Sequence, residues 1–159
     1  MEEWFERTII GRYTAEREKQ FFGHYLERFA PCGVQTVVQQ GGEWLMSSEN
    51  VVAVPRDVLM TAEAMAWESH SIDVLLMPHS HETAALTQVL HEASRVLKPE
   101  GRLVLTGFNP KSLWFFSKWF DGVRLPKREH CLTLPALKQR LADLDFEVVF
   151  GKFMVYLPA

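Results

Sequence analysis

The sequence has few of the features that would place it outside the cytosol or on a nucleic acid. Its two cysteines, Cys32 and Cys131, lack the spacing of a metal site or a redox pair, so we expect free thiols in a reducing compartment. No apolar run is long enough to span a bilayer, and the start Met1-Glu2-Glu3 lacks the positive charge of a signal peptide. A net charge of -3 offers no basic face for phosphates. These absences predict a cytoplasmic protein with no transmembrane segment and no nucleic-acid partner.

A G-x-G-x-x-G loop after a strand is also missing, which disfavours a dinucleotide-binding protein. With 159 residues, 47% of them hydrophobic, the chain can bury one core and has little room for a second domain. We therefore expect a single domain over residues 1–159. Its helical segment would lie in residues 1–32 and its α/β core in residues 33–159.

The most regular stretch, residues 71–110, has the pattern of a strand, a helix and a second strand. Residues 71–77 form a short apolar run that ends at a proline, as expected of a strand buried on both faces. Residues 83–97 carry apolar side chains at three- and four-residue spacing, which predicts an amphipathic helix. A Lys-Pro-Glu-Gly turn ends this helix, and a second apolar run follows at residues 103–105. Two buried strands joined in this way are most simply parallel neighbours with a right-handed crossover.

Three segments of this stretch carry a resemblance to a known family. They are Ser71-Ile72-Asp73-Val74-Leu75-Leu76, Arg95-Val96-Leu97-Lys98-Pro99-Glu100-Gly101-Arg102-Leu103-Val104-Leu105 and Gly107-Phe108-Asn109-Pro110. Together they resemble the second half of a class I S-adenosylmethionine-dependent methyltransferase domain, and the last segment resembles a small bacterial branch of methyltransferase-like proteins. The similarity covers about residues 65–156.

The resemblance implies a three-layer, Rossmann-like α/β fold with a mostly parallel sheet. Such a sheet would end in an antiparallel C-terminal hairpin, for which residues 146–150 and 153–157 are the expected strands. Too few residues separate Gly42 from Val51 for the helix and second strand that the family usually has there. We therefore expect a fold that is reduced in its N-terminal half.

The N-terminal segment, residues 4–29, combines aromatic side chains with many charges. We expect two helices here, divided at Gly11. In the family a leading helix lies against the sheet and often helps to cover the ligand. The aromatic side chains could therefore fill the core or form a lid, and their helical spacing favours the core.

The pair Gly41 and Gly42 follows a strand predicted at residues 34–39. The resemblance assigns both glycines to S-adenosylmethionine binding, because in the family a glycine backbone approaches the cofactor closely after the first strand. A Gly-Gly pair is also a good signal for a tight hairpin turn to residues 44–46. The family's glycine spacing is absent here, which favours the hairpin.

A further strand is predicted at residues 51–54, with Asp57 just beyond it. The resemblance assigns Asp57 to the adenine end of the cofactor. The alternative is an ordinary loop or helix-capping residue.

The residues after the strand at 71–77 are the strongest candidates for chemistry, because ligands bind at the carboxyl ends of parallel strands. His79 is the predicted general base, since an imidazole titrates near neutral pH. The resemblance places this loop between the methyl donor and its acceptor, which assigns Pro78 and His79 to the cofactor and His81 to the acceptor. A metal site of His79, His81 and Glu82 is a weaker alternative, and we expect no metal because no further ligand cluster is evident.

An aromatic-rich segment follows at residues 112–122. It could be a helix packed on the core, the wall of a pocket for an apolar acceptor, or a surface for a membrane or a protein partner. In the family, substrate specificity is built at this position. We therefore assign Asn109 and Trp114, with His81, to acceptor binding.

The residues and the resemblance together predict an S-adenosylmethionine-dependent methyltransferase that acts on a small molecule of apolar character. The alternative is a catalytically inactive, methyltransferase-like binding module for a protein or lipid partner, which the missing glycine-rich loop favours. In either case the aromatic surface could support a homo-oligomer or a protein partner.

Overall fold

The computed structural model describes residues 2–29, 36–42, 45, 51–112 and 127–154. The strands in these ranges are β1 (Val37–Gln40), β2 (Val51–Val54), β3 (Ile72–Pro78) and β4 (Leu97–Thr106), and the α-helices are α1 (Glu2–Arg7), α2 (Ile9–Phe29), α3 (Leu86–Val96) and α4 (Leu134–Ala142). The strands form one sheet in the order β2-β1-β3-β4, and every pairing is parallel. None of the helices in the described ranges has both the length and the apolar composition that crossing a membrane requires.

The sheet is apolar on both faces because a helix covers each of them. Strand β3 shows the division, since Leu75 and Met77 pack on the side of α3, whereas Val74 and Leu76 pack on the side of α2. This alternation is the period of two that an extended strand imposes. The predicted α/β fold, with a parallel sheet between helical layers, is confirmed.

The strand-helix-strand unit predicted over residues 71–110 is confirmed as β3, α3 and β4. The predicted turn between helix and strand lies inside β4, which begins directly after α3. Ile72 pairs with Leu97, whereas Val74 pairs with Arg102, so residues 98–101 bulge out of the ladder.

The N-terminal helices are divided at Thr8 and not at Gly11 as predicted. The Thr8 hydroxyl accepts the N–H of Gly11 at 2.8 Å, which is the capping contact that begins α2. Gly11 lies inside α2, where an added Cβ would be 1.9 Å from the carbonyl oxygen of Trp4. Glycine at this position therefore permits the close approach of α1 to α2.

The predicted hairpin between residues 34–39 and residues 44–46 is wrong. β1 pairs with β2 along one edge and with β3 along the other, both in parallel. An antiparallel partner would find both edges of β1 occupied. The N–H of Gly41 instead donates to the carbonyl of Val54 at 3.0 Å, which continues the parallel ladder towards β2.

The predicted C-terminal hairpin is also not found, since residues 146–154 contain no strand and residues 155–157 lie outside the described ranges. The way in which α4 ends accounts for the first residue of the predicted hairpin. Asp145 has a φ of 61°, and the N–H of Phe146 donates to the carbonyl of Leu141 at 3.0 Å. This is a Schellman-type helix end, and Phe146 packs on the core beside α3. Phe146 therefore closes α4 and does not open a strand.

Candidate functional site

The carboxyl ends of β1, β3 and β4 meet along one side of the sheet. We call residues 40–42, 78–82 and 106–109 at these ends the carboxyl edge. The register aligns them, since Gln39 pairs with Leu76 and Pro78 pairs with Thr106. Most of the predicted site residues lie at this edge: Gly41, Gly42, Pro78, His79, His81 and Asn109.

The two glycines lie against the loop that follows β3. Gly41 and Gly42 have φ values of 76° and 71°, a region that favours glycine. An added Cβ would be 2.5 Å from the Ser80 hydroxyl at Gly41 and 2.2 Å from Cγ of Pro78 at Gly42. The Ser80 hydroxyl also donates to the carbonyl of Gln40. The packing of the chain on itself therefore requires both glycines, whatever they contact in a ligand.

The side chain of Gln39 holds this glycine pair from the other side. Its Nε2 donates to the carbonyls of Gly41 at 3.0 Å and of Gly42 at 2.8 Å. Gln39 is buried, so these hydrogen bonds replace water for the amide and for both carbonyls. The turn after β1 is thus held in one conformation before any ligand is considered.

Three buried ionisable side chains join α2 to the loop after β3. Nε2 of His79 lies 2.8 Å from Oε1 of Glu18, and Nδ1 lies 2.6 Å from Oε2 of Glu82. The three side chains are at most 3% exposed. His79 also has a φ of 55°, an unusual conformation for a residue with a side chain, at a typical cost of about 1 kcal/mol. The hydrogen bonds between the imidazole and the two carboxylates stabilise His79 in this backbone conformation.

The charge on His79 follows from this geometry. Burial by itself lowers the pKa of His79, but Glu18 and then Glu82 outweigh it and raise the pKa from 6.5 to about 10. At neutral pH both ring nitrogens then carry a proton, and each can donate to a carboxylate. An imidazolium in this position has no lone pair with which to accept another proton, so the geometry does not favour the general-base role predicted for this residue.

Glu82 also connects the other segments at the carboxyl edge. Its Oε1 accepts the N–H of Phe108, just after β4. The thiol of Cys131, which precedes α4, is buried near the same carboxylate, and burial followed by Glu82 raises the pKa of Cys131 to about 12. A thiol with that pKa is a poor nucleophile at neutral pH. In the part of the chain that the structure describes, no group of three His, Cys, Asp or Glu side chains is arranged to hold a metal ion.

His81 is buried beside the end of β4. An added Cβ on Gly107 would be 2.8 Å from Cε1 of His81. Burial lowers the pKa of His81 to about 4, because it outweighs the opposite effect of Glu82 and is reinforced by the charge of His79, so this imidazole is neutral at pH 7. Its Nδ1 has no hydrogen-bond partner within the described ranges, and the same holds for Oε1 of Gln40 and the hydroxyl of Thr106. These three buried polar atoms all lie at the carboxyl edge.

An aromatic cluster of Trp4, Phe5 and Phe108 covers His79 from the side of α1. The ring centroids of Phe5 and Phe108 lie 5.2 Å and 4.4 Å from that of His79, and Trp4 meets Phe108 edge-to-face at 5.3 Å. Trp4 and Phe5 are buried. Their burial agrees with core packing, the alternative that their helical spacing favoured, and a role as a lid over a ligand stays a prediction.

Asp57, which the resemblance assigns to the cofactor, is hydrogen-bonded to the backbone of β2. Its Oδ2 accepts the N–H of Ala53 at 2.9 Å, and the guanidinium of Arg56 lies against the same carboxylate. Arg56, followed by the Ala53 N–H, lowers the pKa of Asp57 to about 2. This is the geometry of the loop-capping alternative, and a contact of Asp57 with a cofactor stays a prediction.

Asn109 and Trp114 are the two remaining predicted site residues. Oδ1 of Asn109 accepts the N–H of Lys111 at 3.0 Å, so this side chain shapes the turn after β4. Trp114 lies outside the described ranges, as does most of the aromatic-rich segment.

Glu18 is the residue at this site that the sequence analysis missed. Thr14, Glu18 and Phe22 recur at a spacing of four in α2, and all three are buried. A charged residue on the buried stripe of an amphipathic helix needs a partner. That pattern was the available signal, although it does not identify the partner 61 residues away.

A parallel sheet between helical layers, with buried polar groups at the carboxyl ends of its strands, is an arrangement that class I methyltransferases share with other doubly wound α/β proteins. The sequence comparison agrees, since residues 35–105 match the family described as "Methyltransferase domain". This match confirms the resemblance and extends it upstream to β1 and β2. The matched residues, slightly less than half of the chain, are therefore similar to methyltransferase domains. No curated protein matches the sequence.

Two solved structures share the fold. One is a Haloferax volcanii protein, provisionally assigned as a methyltransferase, in complex with the Trm112 methyltransferase activator; it has a TM-score of 0.63 and 13% identity, over 93% of this chain and 76% of that chain. The other is a Thermotoga maritima S-adenosylmethionine-dependent methyltransferase, described as a possible histamine N-methyltransferase, with a TM-score of 0.63 and 19% identity over 92% and 76% of the two chains. At these identities the likeness shows the fold alone.

Proposed function

We propose that this protein is an S-adenosylmethionine-dependent methyltransferase that binds its ligands at the carboxyl edge. The observation that carries the proposal is the set of buried polar atoms on Gln40, His81 and Thr106 that lack a partner among the described residues. A buried polar group is costly unless something completes its hydrogen bonds. These residues lie within or directly after the segment that matches the family.

S-adenosylmethionine would supply a methyl group already activated by the positive charge of its sulfonium. The residues of this chain would mainly orient the two reactants. We propose Gly41, Gly42 and Pro78 for the cofactor side, together with Asp57 if its carboxylate turns away from Ala53. His81, Asn109 and Trp114 are proposed for the side of a small-molecule acceptor.

We propose that His79 holds the loop after β3 and does not remove a proton from the acceptor. The support is its position between Glu18 and Glu82, which favours the imidazolium. A general base would instead give a turnover that rises with pH up to about pH 6.5, the ordinary pKa of histidine, and that is lost in His79→Gln. Such a profile would restore the base role.

A protein partner is a further part of the proposal. The similar Haloferax volcanii protein was solved with a methyltransferase activator. The similar Thermotoga maritima protein is described as a possible histamine N-methyltransferase, and histamine is a small amine. The first supports association with another protein and the second supports a small-molecule acceptor, and neither identifies the acceptor or the partner of this chain.

The test is calorimetric titration with S-adenosylhomocysteine, using Thr106→Val as the variant. The substitution keeps the shape of the side chain and removes a buried hydroxyl without a described partner. If the ligand bonds to this hydroxyl, affinity should fall by about three- to tenfold, while stability should stay unchanged or rise. Thr87→Val, at an exposed position in α3, is the control. Its hydroxyl accepts a long, exposed hydrogen bond of 3.5 Å from Arg140, so stability should change by less than about 0.5 kcal/mol and affinity should not change. Equal affinity in wild type and Thr106→Val would remove Thr106 from the site.

The second candidate function is a binding module without methyltransferase activity. Two observations favour it: the carboxyl edge is covered by Phe5 and Phe108, and Val149, Phe150 and Phe153 are exposed apolar side chains near the C-terminus. The same titration separates the two functions. Absence of binding of both S-adenosylmethionine and S-adenosylhomocysteine at millimolar concentration would end the enzyme proposal and leave the binding module.

A further inference from the structure

We propose that Glu18 is a positioning residue for the ligand site, which holds α2 on the loop after β3 through His79. The effect of Glu18 on ligand binding rests on the proposed function, whereas its effect on the protonation of His79 does not. Glu18 lies on the buried stripe of α2 and reaches Nε2 of His79 at 2.8 Å across 61 residues of sequence. The hydrogen bond to the imidazole is the route by which it would act on the ligand site.

The protonation of the imidazole links the helix to the loop. A neutral imidazole has one N–H and one lone pair, so it can donate to only one of two flanking carboxylates. Glu18 and Glu82 face the two ring nitrogens of His79 from opposite sides, at 2.8 and 2.6 Å. Two ionised carboxylates in these positions favour a proton on both nitrogens, and loss of either carboxylate weakens that preference.

The groups around His79 on its other sides do not replace Glu18. From α1 it meets Phe5, and from the end of β4 it meets Phe108. From its own loop it meets Glu82 and, further away, His81, which is neutral at pH 7. The thiol of Cys131 interacts with Glu82 and stays protonated at that pH. Among these surrounding groups, Glu18 is the charged side chain that belongs to α2 and is hydrogen-bonded to His79.

The loop that His79 anchors also contacts the end of β1. Pro78 packs against Gly42, and the Ser80 hydroxyl donates to the carbonyl of Gln40. A change in the conformation of His79 would therefore move Pro78 and Ser80, its two neighbours in the chain, and with them the proposed cofactor side. Glu18 thereby influences the ligand site although it belongs to the N-terminal helix.

The direct test is an NMR titration of the His79 ring in the full chain, with the signal assigned by its absence in His79→Gln. We expect the ring to keep both protons between about pH 6 and pH 8 in wild type, and to lose one within that range in Glu18→Gln. Glu16→Gln removes the same charge from an exposed position in α2 and should leave the titration unchanged. A neutral His79 at about pH 7 in wild type would overturn the proposal without any variant.

The second measurement is the affinity for S-adenosylhomocysteine in the same variants. We expect Glu18→Gln to weaken binding by about tenfold at pH 8 and less at pH 6, because acid restores the imidazolium. Glu16→Gln should bind as wild type at both pH values. A shifted His79 titration with unchanged affinity would refute the positioning role alone. A wild type that does not bind the ligand at all would refute the proposed function, and the NMR result would still decide the protonation of His79.

Discussion

Gly42 shows how one backbone conformation determines the shape of the candidate site. Its φ is 71°, and an added Cβ would lie 2.2 Å from Cγ of Pro78, which leaves no room for a side chain. The two effects are separate, since the first strains the backbone and the second forces the loop after β3 to move.

Gly42→Ala should therefore destabilise the protein by about 2–5 kcal/mol, the sum of the typical costs of left-handed backbone and of overpacking. Gly151→Ala is the control, since an added Cβ there has no neighbour within 4 Å, and it should change stability by less than about 0.5 kcal/mol. Urea unfolding measures both. Equal stability of the two variants would mean that the Gly42 turn is not packed on Pro78.

His79 illustrates a limit of prediction from residue type. A histidine after a buried parallel strand is a reasonable general base, and its position at the carboxyl edge was predictable from topology. Its protonation was not predictable, because Glu18 comes from a helix far away in sequence. The partners of a buried ionisable group decide its chemistry, and those partners are set by tertiary contacts.

At the scale of elements, the junction of α1 and α2 places the aromatic cluster over the carboxyl edge. Thr8 begins α2, and Gly11 allows α1 to come close enough for Trp4 and Phe5 to be buried. The pair of helices was predictable from sequence. The direction in which α1 folds back was not, because it depends on contacts between the packed helices, such as the close approach of Gly11 to the Trp4 carbonyl.

Two glycine substitutions in α2 should have opposite effects on stability. Alanine is favoured over glycine inside a helix by up to about 1 kcal/mol, so Gly23→Ala, with no neighbour within 4 Å, should stabilise the protein. Gly11→Ala should instead destabilise it by about 1–3 kcal/mol, because the new Cβ would collide with the Trp4 carbonyl. Thermal unfolding followed by circular dichroism compares the two. A stabilised Gly11→Ala would show that α1 is not docked in solution.

At the scale of the whole molecule, two buried histidines should make stability depend on pH in opposite directions. Folding raises the pKa of His79 from 6.5 to about 10, so its contribution is complete below pH 6.5 and is lost as the pH rises towards 10. Folding lowers the pKa of His81 from 6.5 to about 4, so stability is lost as the pH falls from 6.5 towards 4, where only the unfolded chain gains this proton.

The free energy of unfolding should therefore be largest near about pH 6.5 and should fall on both sides, by at most about 1.4 kcal/mol per pH unit for each histidine. Urea unfolding at a series of pH values checks this. Glu18→Gln should lower the maximum and flatten the alkaline side, since it removes the carboxylate that most favours the His79 proton. Stability that is constant between about pH 7 and pH 9 would contradict the charged state of His79.

The sequence by itself determined the layered α/β class, the β3-α3-β4 unit and the region of the candidate site, because apolar periodicity and turn residues act over short distances. Only the tertiary structure decided that β1 lies between two parallel strands, that Phe146 closes α4, and that Glu18 meets His79. Each of these depends on which distant segments become neighbours. Strand partners, helix ends and buried charges are chosen by contacts formed when the whole chain packs, and no local pattern contains them.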